Sequence, residues 1–106
     1  MTPAQMAAEL LRGRQQRNAI FALHQEGFGE PAWDMLLSLF VADSDGRSSV
    51  SAGELVAATT TDGEIARPYT LWLASQGLVE IAYDRVRLTT AGRGLMTTYL
   101  EYELVR

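Results

Sequence analysis

Lysine is absent from this chain: all nine basic residues are arginines, set against thirteen carboxylates for a formal net charge of −4 over 106 residues. That balance does not suit a strongly basic nucleic-acid binder. Arginine alone does suit bidentate contacts to phosphate or guanine. Cysteine is absent too, which excludes disulfides, thiol nucleophiles and thiolate metal sites. A single histidine, His24, excludes a metal-binding histidine pair and is expected at the surface. Although 47% of residues are hydrophobic, no run is long enough to span a bilayer and the N-terminus lacks a signal-peptide layout. The expectation is one small cytoplasmic domain with no membrane partner.

Enzyme chemistry finds little here. General acid–base work needs paired groups in a cleft, and the carboxylates lie where helix caps and loops account for them. Asp43, Asp45, Arg47 and Glu54 match the ligand spacing of a calcium loop. Arginine at a ligand position and Ser48 in place of the required glycine exclude it. No nucleophile elbow or phosphate loop is present. No catalytic residue, metal or cofactor is expected.

The informative stretch is Ser51 to Thr90, SAGELVAATTTDGEIARPYTLWLASQGLVEIAYDRVRLTT. Ser51 with Glu54 forms a capping-box pattern that opens a short helix, and Thr61 with Glu64 repeats it. Thr59, Thr60 and Thr61 interrupt between them, as β-branched hydroxyl residues favour turns over helix interiors. The second helix is expected over Asp62 to Gln76, burying Ile65, Ala66, Tyr69, Thr70 and Leu73. Pro68 lacks an amide donor, so the helix start is either bent or delayed to near Ala66. Gly77 supplies a left-handed C-terminal stop. Leu78 to Tyr83 alternates as a strand, Asp84–Arg85 turns, Val86 and Leu88 return, and Thr89 caps a further helix. Two capped helices and a hairpin outline a winged helix-turn-helix.

Around this stretch, Thr2-Pro3 with Gln5 starts an N-terminal helix. It runs to His24 or breaks near Gly13. Residues 26–30, EGFGE, form a loop. Pro31 opens a helix with Trp33, Leu36, Leu37 and Phe40 on its apolar face, Trp33 being a core residue. That helix ends at ADSDG, and residues 47–51 form an extended piece suited to pair with the hairpin. The last helix, Thr90 to about Leu104, is apolar on two faces. The organisation is an N-terminal arm over residues 1–30 and a main unit over 31–106, within one structural domain. The fold class is mainly α with a small β-hairpin (α+β). The arm either packs on a partner subunit or lies across its own domain. With the two-faced last helix it points to a homodimer, whose interface residues are Leu10, Phe21, Leu95, Tyr99 and Tyr102.

The segments FGEPAWDMLLSLF, the S-x-x-E helix, LWLASQGLVE and LTTAGRGLM together resemble MarR-type winged-helix regulators, and most closely small single-domain alphaproteobacterial ones. The resemblance covers about Arg12 to Leu104. It implies a dimeric, sequence-specific transcription factor binding double-stranded DNA, with the helix near Asp62 in the major groove and the hairpin as a short wing. The DNA-binding candidates are Thr61, Arg67, Thr70, Arg85 and Arg87. The chain departs from that pattern where Asp62 and Glu64 accompany Arg67, and where Pro68 and Trp72 replace expected polar residues. Three arginines per subunit predict weak, salt-sensitive binding. Arg12, Arg14 and Arg17 form a solvated helix face. The alternative is a winged-helix protein-interaction module, with Leu71 and Trp72 as an exposed contact patch.

Overall fold

The computed structural model describes residues 2–21, 30–59 and 61–105. The elements are α1 (Pro3–Ile20), α2 (Glu30–Ser44), β1 (Val50–Ser51), α3 (Ala52–Ala57), α4 (Gly63–Ser75), β2 (Val79–Ala82), β3 (Arg85–Leu88) and α5 (Thr90–Val105). This is a winged-helix α+β fold. The three strands form one antiparallel sheet in the order β1-β3-β2.

Local chemistry sets most of the boundaries. Thr2 and Gln5 cap α1 reciprocally, with Pro3 in the first turn. The helix runs unbroken through Gly13. It ends at Ile20, with Phe21 as C-cap, and so stops short of the expected His24; that histidine's expected surface position and residues 26–29 of the expected loop lie outside the described residues. α2 ends at Gly46, whose φ is +84°. There Gly46 N donates to Asp43 O and Arg47 N donates to Ala42 O, the paired bonds of a glycine C-terminus. Gly77, at φ +75°, ends α4 the same way: its amide bonds Ala74 O and Leu78 N bonds Leu73 O. Thr89 begins α5 by accepting from Gly92 N, while its own hydroxyl donates to Gly77 O.

Two expectations about α4 need correction. Its cap is Asp62, whose carboxylate accepts from Glu64 N, and not Thr61. Thr61 N instead donates to the Thr59 hydroxyl in the preceding turn. The delayed start near Ala66 is also overturned: the helix begins at Gly63, with Pro68 inside it. Proline there removes the bond to the Glu64 carbonyl, and residue 64 is exposed, so water can satisfy that carbonyl. In α3, Ser51 caps through Glu54 N as expected, but the Glu54 carboxylate turns to Arg47.

α2 is the centre of the core. Its Ala32, Met35, Leu36, Leu39 and Ala42 are buried against Leu55 of α3, Ala66 and Leu73 of α4, Val86 and Leu88 of β3, and Met96 of α5. The sheet alternates as a half-buried strand must: Val86 and Leu88 point inward, Arg85 and Arg87 outward. Gly92 allows α5 to approach the sheet, since a Cβ there would stand 2.1 Å from Leu78 O.

The arm lies across its own domain, with α1 packed on α5. The Phe21 and Tyr99 rings each meet Trp33 edge-on, at centroid distances of 6.0 and 5.1 Å. Arg17 lies 5.2 Å over the Trp33 ring, a cation–π geometry. Phe21, expected at a dimer interface, is thus buried inside the subunit. Arg17, expected on a solvated face, is partly covered by its own domain. Among the described residues no helix is long and apolar enough to cross a membrane.

Candidate nucleic-acid interface

α3 and α4 pack together as the helix-turn-helix, and the β2–β3 hairpin follows directly from the end of α4. α4 buries a line at helical spacing, Ala66, Thr70 and Leu73. One residue turns a helix by about 100°, so Ile65 falls on the flank of that line. It is 60% exposed, which corrects its placement in the buried face. Tyr69 is half-buried and packs on the core.

Thr70, a DNA-binding candidate, is only 6% exposed. Its hydroxyl points at Met35 Sδ, 3.7 Å away. It therefore has no surface to offer a duplex and belongs to the core. Arg67 is exposed and forms no hydrogen bond or ion pair among the described residues. Its guanidinium lies along the first turn of α4, where a Cβ on Gly63 would stand 3.6 Å from its Cζ. Trp72 is half-buried against the core, whereas Leu71 beside it is 68% exposed.

The wing is short and anchored. Cross-strand partners are Val79 with Leu88, Glu80 with Arg87, Ile81 with Val86 and Ala82 with Arg85. This register makes Tyr83–Asp84 the two-residue turn, correcting the expected Asp84–Arg85. Tyr83 has φ +57° and is fully exposed at the tip. Two-residue hairpins favour that sign of φ, usually from glycine or asparagine, so tyrosine here is costly. Alternation over Leu78 to Tyr83 carries the expected strand one residue too far. The Asp84 carbonyl accepts from Ala52 N at 2.7 Å, fixing the turn to the start of α3.

The wing arginines are engaged by neighbours. Arg85 donates to the Ser49 hydroxyl at 3.1 Å and to the Ser49 carbonyl at 2.8 Å. Arg87 pairs with Glu80 at 2.9 Å. Elsewhere Arg12 pairs with Glu9, and Arg93 grips both oxygens of Asp43 at 3.0 and 3.1 Å. The hydrogen bonds it donates to Asp43 raise the Arg93 pKa above its ordinary value. Arg47 pairs with Glu54 at 2.8 Å. Their shared hydrogen bond raises the arginine's pKa and lowers the carboxylate's. Surface pairs of this kind contribute little stability, but they reduce the positive field available to phosphate.

An open cleft of about 370 Å³ lies between α2, β1 and α3, with Leu37, Val41, Val50 and Leu55 in its wall and the Arg47–Glu54 pair at its rim. Among the described residues no group of histidine, aspartate or glutamate side chains could hold a metal ion. The expected interface residues Leu95, Tyr99 and Tyr102 are all half-buried on α5. The Leu10 side chain lies outside the described set. Leu11 on α1 and Leu104 on α5 are 55% and 83% exposed.

No protein-family model matches this chain, and no curated protein matches it. Among solved structures it is similar to Bordetella bronchiseptica BpsR, whose DNA binding is regulated by 6-hydroxynicotinic acid. The superposition has a TM-score of 0.55 at 24% identity, covering 92% of this chain and 80% of that one. That likeness concerns the fold.

Proposed function

We propose that the protein is a DNA-binding transcriptional regulator that acts as a homodimer, with α4 in the major groove and the β2–β3 hairpin as a short wing. The observation that carries this reading is Arg67. It stands exposed on α4 without a partner among the described residues, on the helix that a winged helix-turn-helix presents to a duplex. The fold shared with BpsR, a protein with regulated DNA binding, supports the same reading. Arg85 and Arg87, on the outer face of the sheet, are backbone contacts, and Thr61, in the turn before α4, is a further contact. Exposed Leu11 and Leu104 on neighbouring helices, with Leu10, Leu95, Tyr99 and Tyr102, supply the self-association surface.

The test is selection from random duplexes at low salt, repeated as salt is raised. A palindromic enriched site and a steep salt slope are expected, since a dimer places two equivalent helices on two half-sites. Arg67→Ala should weaken binding while leaving the unfolding midpoint in place. Unchanged affinity in that variant removes the interface.

A second reading is favoured by one observation: the exposed centre of α4 is apolar, at Pro68 and Leu71. A winged-helix module of this kind would bind a protein and ignore DNA at every salt concentration.

A further inference from the structure

We propose that α4 reads thymine C5-methyl groups in the major groove, with Arg67 as its one hydrogen-bonding reader of a base edge. This rests on the DNA-binding reading and names the kind of site it selects. Opposite the buried line Ala66, Thr70 and Leu73, helical spacing places Glu64, Pro68, Leu71 and Ser75. Ile65 flanks that outward row on one side and Arg67 on the other. Its centre therefore consists of hydrocarbon: Leu71 is 68% exposed and Ile65 60% exposed, and Pro68 between them is exposed and carries no amide hydrogen.

Such a surface cannot satisfy the donors and acceptors that bases present in the major groove. Only the thymine methyl group is apolar there, and apolar side chains contact it. Arg67, at the edge of the row, is free to take guanine O6 and N7. Glu64, an acceptor only, cannot take a phosphate. The site selected is therefore thymine-rich with a single flanking guanine.

The dimensions favour a groove over a protein partner. The exposed apolar residues Ile65, Pro68 and Leu71 are accompanied on the same helix by Glu64, Arg67 and Ser75. A stable protein interface takes about 800 Å² from each partner and centres on large projecting anchors. The one tryptophan nearby, Trp72, is half-buried against its own core. A helix carrying one such row fits the major groove, about 12 Å wide.

The experiment compares the selected duplex with the same duplex carrying deoxyuridine for thymidine, which removes only the methyl groups. Affinity should fall about fourfold for each methyl group contacted. Leu71→Ser, at an exposed position, should bind the two duplexes with a smaller difference than the wild type. Equal wild-type affinity for both duplexes overturns methyl reading and leaves the DNA-binding function standing. No binding to any duplex at low salt removes both, and assigns the exposed row of α4 to a protein partner.

Discussion

Arg87 on β3 and Glu80 directly opposite on β2 form an ion pair of 2.9 Å on the solvent face of the wing. The pair places a carboxylate beside a cation otherwise available to a phosphate. Glu80→Gln should leave stability nearly unchanged, because exposed pairs contribute little. It should strengthen DNA binding at low salt, and the log–log salt slope should steepen by about 1 for each phosphate newly engaged. Salt titrations of both proteins on one duplex check this, and an unchanged slope would separate Arg87 from the duplex.

Tyr83 presents the opposite balance between stability and function. A left-handed backbone costs a residue with a Cβ about 1–2 kcal/mol, and asparagine tolerates it better. Since Tyr83 is fully exposed, its side chain leaves little packing to lose. Tyr83→Asn should raise stability by about 1 kcal/mol in denaturant unfolding. If the tip meets the duplex, the same change weakens DNA binding. A gain in stability with no loss of binding would mark Tyr83 as strained without a role in recognition.

What the sequence made legible was short-range. Thr2 with Gln5, Ser51, Gly77 and Thr89 each act within a few residues of their own position, and pattern alone placed them. Asp62 and Thr61 are adjacent capping residues, and the spacing to Glu64 matched the wrong one. Tyr83 lies in the turn because the register of the whole hairpin, which alternation along one strand does not reveal, sets where the strand stops. Least legible were the partners of the arginines. Arg93 and Asp43 are separated by 50 positions, and no local rule joins them. Net charge warned that DNA binding would be weak, but only the fold shows Arg67 apart from the paired arginines.

Two glycines in α5 should respond in opposite directions. At Gly92 an added Cβ would meet the Leu78 carbonyl at 2.1 Å, and a backbone atom cannot simply move aside. Gly92→Ala should destabilise by about 1–3 kcal/mol, as overpacking does, by pushing α5 off the sheet. Nothing lies within 4 Å of a Cβ at Gly94, so Gly94→Ala should stabilise by up to about 1 kcal/mol through helix propensity. Thermal unfolding of the two variants tests how closely α5 approaches the wing.

The Arg47–Glu54 pair ties the segment after α2 to α3, and its pH dependence has a definite sign. The hydrogen bond from Arg47 lowers the Glu54 pKa in the folded protein, outweighing the opposing effect of desolvation. A depressed folded pKa means that the contribution is present above the unfolded value and is lost as pH falls through the folded one. Wild type should therefore be slightly more stable than Glu54→Gln at neutral pH, with the difference closing in acid below the ordinary carboxylate range. Both groups are exposed, so raised salt should also shrink the difference at neutral pH. Denaturant melts across pH, at low and high salt, provide the measurement. A gap that persists in acid would assign the effect to a difference between the neutral side chains and not to the charge of Glu54.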